Sequence, residues 1–191
     1  MRHIPALAVL VLVLAGSLDS AAGAGVPPSL LPLAEGNRWV LRDVQRGGTA
    51  TVSVARGPSG LVLRGLVGAG ELRVRAAGRS VEAWDPSAQR WEPFLQLGAA
   101  AGTSYTVDLA GTALWRSLVV TVGSRTAVVH DGRGKTLRNC VRLTFRARKP
   151  IADAGLEEIV FAPGVGIVRT TDQTIAGLRV RVLAGLRLNE S

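Results

Sequence analysis

A single cysteine, Cys140, in 191 residues excludes an intramolecular disulfide, so the fold must be held by its core even in an oxidising compartment. Lysine is almost missing. Lys135 and Lys149 are the two present, and the formal charge of +9 therefore rests on arginine. Histidine occurs only at His3 and His130, which leaves little material for a nucleophile–base pair or a zinc ligand set. Aromatic residues make up 4% of the chain and are not interleaved with basic runs, which argues against nucleic acid as a partner. Past residue 24 no unbroken apolar stretch is long enough to cross a bilayer, so no integral membrane span is expected there.

What is present begins with a leader. Arg2 and His3 precede the apolar run Ile4 to Ala15, and the small residues Ala21-Ala22-Gly23-Ala24 follow. That is the three-part pattern of a secretory signal peptide, and its apolar run falls short of the ~18 residues of a permanent span. Residues 1–24 are read as this peptide and 25–191 as a single all-β domain, exported to the periplasm or the extracellular space. No cysteine follows the run, so a lipid-modified terminus is not expected.

Hydrophobic residues reach 47%, dominated by Val, Leu, Ala and Ile, a composition that leans toward strands. Turn chemistry at Gly47-Gly48, Gly57-Pro58-Ser59-Gly60, Gly68-Ala69-Gly70, Asp85-Pro86 and Asp131-Gly132 separates alternating runs. Strands recurring about every 8 to 12 residues are a signature of antiparallel β architecture. The expected fold is all-β, with antiparallel strands in one curved sheet forming a half-barrel, barrel or sandwich. A short helical turn is compatible with the pattern over Ala110 to Arg116. Between Leu137 and Arg148, Val141, Leu143 and Phe145 should share one face and Arg142, Thr144 and Arg146 the other.

The run Phe161-Ala162-Pro163-Gly164-Val165-Gly166-Ile167-Val168-Arg169 poses a choice between a phosphate cradle and a corner. A phosphate loop needs its glycines to open a helix, whereas Gly166 runs into a β-type segment. Pro163, Gly164 and Gly166 are therefore assigned to a structural turn. Together with Pro32-Leu33-Ala34-Glu35-Gly36-Asn37-Arg38-Trp39, this run resembles a group of exported bacterial proteins of unassigned function. Its members pair a PLxxGNxW opening with a WYAPGVGLV-type hairpin and often carry a cysteine-bearing strand before it, to which Asn139-Cys140-Val141-Arg142-Leu143 is similar. The resemblance implies an exported β domain and transfers no catalytic residue. Val160-Phe161 departs from the Trp-Tyr pair of that group.

No catalytic residue, metal site or cofactor is expected. A Cys140/His130 thiol pair would have to meet across a hairpin, and a lone strand cysteine is more often a small buried hydrophobe. Glu71, Glu82, Asp85, Glu92 and Asp108 show no spacing that singles out a general acid–base pair. The binding candidates are Trp39, Trp84, Trp91, Arg142, Arg146, Arg179 and Arg181. Trp84 and Trp91 flank one hairpin and should pair across it. Trp115 joins the tryptophans that core packing, a sugar platform or a cavity lining could each claim. The function expected is that of an exported, non-enzymatic envelope protein binding a lipid or other hydrophobic ligand within a curved sheet. The alternative is a structural or interaction module docking to an anionic envelope partner through arginine-rich faces, such as Leu178-Arg179-Val180-Arg181-Val182.

Overall fold

The computed structural model describes residues 29–66, 70–109, 115–125, 127–148 and 155–189. The expected signal peptide lies outside them, as does most of the expected helical turn. Thirteen strands are formed: β1 Arg38–Asp43, β2 Thr49–Gly57, β3 Gly60–Arg64, β4 Glu71–Ala77, β5 Ser80–Asp85, β6 Arg90–Leu95, β7 Ser104–Val107, β8 Leu118–Val122, β9 Ala127–His130, β10 Thr136–Ala147, β11 Gly155–Ala162, β12 Gly166–Thr174 and β13 Gly177–Arg187. Every pairing is antiparallel, in the order β6-β5-β4-β3-β2-β1-β13-β12-β11-β10-β8-β7, with β9 on β10. The all-β expectation holds, and the curved-sheet options narrow to one nearly closed barrel.

Alternation decides which side of the sheet becomes the core. Trp39 and Leu41 on β1, Val52 and Val54 on β2, Leu72 and Val74 on β4, and Leu143 and Phe145 on β10 point inward and are buried. Val141 lies with Leu143 and Phe145, while Arg142 and Arg146 are exposed on the opposite face. Phe94 on β6, Trp115 ahead of β8 and Phe145 on β10 stack edge to face at 4.8 and 5.8 Å, an apolar bridge behind the place where the two sheet edges meet.

At that place β6 and β7 do not form a backbone ladder. The Tyr105 hydroxyl on β7 instead donates to Phe94 O at 3.2 Å and accepts from Gln96 N at 3.0 Å. Arg125 caps the carbonyls of Leu97 and Ala99. Side chains thus close a seam that strand pairing leaves open, and Pro93 on β6, which has no N–H, discourages further pairing at this edge.

A second irregularity lies in β10. Its pairing with β9 shifts between Leu137 and Cys140, where Asn139 adopts φ 56°. This bulge bends the first half of β10 away from the main sheet. The tip of the β9–β10 hairpin reaches β13 and β1: Gly132 N donates to Leu183 O at 2.7 Å, and the Arg42 guanidinium donates to Gly132 O at 3.3 Å. The hairpin therefore lies over the convex face, which accounts for the burial of the outward-facing Val160, with Val129, Leu137 and Cys140 beside it.

The two barrel ends differ. One is sealed by Leu30 and Leu31, by the β11–β12 corner, and by the side chain of Asn37, which donates to Pro32 O at 2.8 Å and accepts from Asn189 N at 2.7 Å. The other, where β1, β3, β5, β7, β10 and β12 finish, is lined by buried Asp43, Asp85 and Asp172.

Candidate functional site: an arginine held between two tryptophans

The site begins with the alternation of β4 and β5. Leu72, Val74, Val81 and Ala83 fill the interior, which forces Arg73, Arg75, Glu82 and Trp84 outward. The β5–β6 register pairs Trp84 with Trp91, and their rings meet edge to face at 5.6 Å, as expected for a cross-hairpin pair. The Arg73 guanidinium stands 4.9 Å from the Trp84 ring and 5.0 Å from the Trp91 ring, and Arg75 lies 4.5 Å from Trp91. Both indoles are half-buried, so part of each ring system faces solvent.

Charge pairing sets Arg73 apart. Arg64 is bound to Glu71 at 2.8 Å, Arg75 to Glu82 at 2.6 Å and Arg90 to Glu92, each across adjacent strands or along one. Among the described residues Arg73 has no carboxylate within ion-pair distance, and its buried Nε lacks a hydrogen-bond partner. A guanidinium stacked on indoles keeps its charge while shedding water, and its in-plane N–H groups remain directed at whatever approaches the edge. Such a group is suited to an anion, and the flanking indoles to an apolar ring face.

The other expected site residues go elsewhere. Trp39 is wholly buried, its indole donating to Val165 O at 2.6 Å, and Trp115 is equally buried within the aromatic stack. Arg142 is exposed but tied to Glu158 at 2.9 Å, a carboxylate shared with Arg169 at 3.2 Å. Arg146 stands on the same outer face of β10. Arg179 and Arg181 correct the expectation of a wet outer face on β13. Arg181 is paired in register with Thr170 and Asp43, and both arginines bind Asp172, at 2.6 and 2.8 Å, on the inner side of the polar barrel end. The outward residues of that strand are Leu178, Val180 and Val182. An acidic residue buried on the neighbouring strand reverses the phase that alternation alone suggests.

A carrier for a lipid needs a hollow. Among the described residues the concave face is a filled core, with Trp39, Leu63, Phe94, Trp115, Leu143 and Phe161 fully buried. A cleft of about 400 Å³ does open along the seam, lined by Asp85, Arg90, Glu92, Pro93, Thr106 and Asp108, among others. Its carboxylates already have structural partners: Asp85 accepts Ser87 N and Ala88 N, Asp108 accepts Ser117 N, and Glu92 holds Arg90. Cys140 and His130 do not meet. Cys140 pairs with Ala127, is fully buried and has its thiol pKa raised by burial, whereas His130 is exposed beside Thr136. No group of three or more metal-ligating side chains occurs among the described residues.

Of the residues that build the platform, Trp84 and Trp91 are legible as a hairpin pair. Arg73 is visible only as one of several arginines on wet strand faces, because its distinction depends on the β4–β5–β6 register.

No family model matches the chain, and no curated protein does either. Among solved structures, a Bacteroides fragilis protein described as exported and as having a YmcC-like fold shares 15% identity, covering 84% of this chain and all of that one, at a TM-score of 0.45. A Parabacteroides distasonis protein described as a lipoprotein shares 15% identity over 85% of this chain and all of that one, at a TM-score of 0.41.

Proposed function

We propose that this chain is an exported, non-enzymatic binding module of the bacterial envelope, whose Arg73–Trp84–Trp91 platform holds an acidic saccharide. The leader at residues 1–24 supports export. The carrying observation is the contrast on one convex surface between Arg64 and Arg75, each matched to a glutamate, and Arg73, which is matched to two indoles. A pyranose bearing a carboxylate satisfies both halves of this arrangement. Its C–H face stacks on indole and its charge meets the guanidinium edge. A free lipid chain would leave Arg73 without a counter-charge and would find no hollow in the filled interior.

Polygalacturonate, a carboxylated pyranose polymer, and neutral dextran serve as the probes, with tryptophan fluorescence and calorimetry as readouts. Binding is expected for the first and not the second. Arg73→Gln and Trp91→Ala should each weaken it about tenfold or more while the circular dichroism spectrum is kept. Rising salt should weaken it further. Equal binding of dextran, or unchanged binding by Arg73→Gln, would overturn the reading.

A further inference from the structure

Large hydrophobic side chains exposed among the described residues are Val44, Val128, Ile175, Leu178 and Leu188. Val44, Ile175 and Leu178 gather in one place, where the β1–β2 turn meets the β12–β13 hairpin. Val44 N donates to Val180 O at 2.9 Å, Val180 N to the Gln45 side chain at 3.2 Å, and the Arg46 guanidinium to Ala176 O at 3.0 Å. The Asp43 carboxylate accepts the backbone N–H groups of Gln45 and Arg46 from beneath, and Thr174 Oγ1 bonds Gly177 O across the hairpin end. These two turns are therefore braced against each other as one rigid knuckle.

Ile175 stands at its summit with 90% of its surface exposed, followed by Val44 at 58% and Leu178 at 50%. A two-residue connection between strands ordinarily takes Gly, Asn or Asp, and a β-branched aliphatic residue there works against local preference. The exposed Arg46 guanidinium flanks the knuckle, while Asp43 is buried below it. An apolar tip with an exposed cation beside it and the neighbouring acid withdrawn is complementary to a bilayer surface carrying anionic headgroups.

We propose that Val44, Ile175 and Leu178, with Arg46, form a docking tip that seats the protein on an anionic phospholipid surface. The aliphatic side chains enter the headgroup region and the guanidinium meets lipid phosphate. The tip uses none of the strands that carry the tryptophan platform, so the two sites can act at once and fail independently.

The exported protein is sedimented with vesicles of phosphatidylglycerol and phosphatidylcholine, and with vesicles of phosphatidylcholine alone. Binding is expected to favour the anionic vesicles. Ile175→Ser combined with Leu178→Ser should weaken it ~tenfold or more, and Arg46→Gln several-fold, roughly as loss of one surface cation implies. Binding of polygalacturonate by these variants should be unchanged. The proposal is overturned if the native chain ignores the vesicles or if the double variant binds as well as the native chain. It is also overturned if the tip proves to join two copies, seen as a concentration-dependent dimer that Ile175→Ser abolishes.

Discussion

At Gly166 the backbone passes so close to the Trp39 indole that a Cβ would lie 2.5 Å from Nε1 and 2.7 Å from two ring carbons, at a φ of 94°. The same indole donates to Val165 O, so the β11–β12 corner and the opening of β1 form a single joint. Gly36 fits the same pattern, with φ 86° and the Asn189 amide where a Cβ would stand. Both glycines are thus fixed by contacts with residues distant in sequence. Gly166→Ala combines overpacking with a left-handed backbone and is expected to destabilise the fold by about 3 kcal/mol, read from urea unfolding. A loss below about 1 kcal/mol would show that the joint yields. Asn37 should be nearly as sensitive. Asn37→Ala strands Pro32 O and Asn189 N and is expected to cost roughly 2 kcal/mol, with the C-terminal residues losing amide protection first.

Strands are specified by their own alternation, but the seam between β6 and β7 is specified by single side chains. Burial pushes the Tyr105 phenol pKa up to about 12, against a partly opposing hydrogen bond from Gln96 N. A folded value raised above the unfolded one near 10 means that this contribution is complete below about pH 10 and is lost as pH rises toward 12. Alkaline titration of the native protein should therefore loosen the seam in that window. Tyr105→Phe should remove this component and lower stability at neutral pH by about 1–2 kcal/mol, since two backbone groups lose their partner. Identical alkaline profiles for the two proteins would refute the assignment. The β9–β10 hairpin shows the limit of alternation from the other side. Cys140 sits on the face that alternation reserves for solvent, yet it is buried because the strand bends at Asn139 and the hairpin folds back over the sheet.

For the molecule as a whole, acid is the expected weakness. Backbone N–H donation from Arg46 is the main influence holding the Asp43 carboxyl low, ahead of the opposing effect of burial, with Gln45 N–H and the Arg181 charge assisting. At Asp131 burial is the largest influence and acts upward, but N–H groups of Lys135 and Arg133 and the Arg133 guanidinium together outweigh it. Folded values below the unfolded ones contribute stability above about pH 4 that is lost as pH falls through the folded values. The unfolding midpoint should hold level from neutrality to about pH 5 and decline below about pH 4. Asp131→Asn should shorten that decline, and an unaltered acid profile in this variant would argue against it.

The sequence by itself determined that the chain is all-β, that short antiparallel strands recur about every 8 to 12 residues, and that Pro163, Gly164 and Gly166 make a corner. These are local properties: side-chain alternation, turn chemistry and the backbone freedom of glycine act within a few residues of one another. The Trp84–Trp91 pair was legible for the same reason, since one short hairpin sets its register. Only tertiary structure decided that Trp39 and Trp115 belong to the core, that Arg179 and Arg181 face inward to Asp172, and that Arg73 meets no carboxylate among the described residues. Each of these depends on which residue a neighbouring strand presents. That register is set jointly by the bulges and by closure of the whole sheet, which no segment encodes alone.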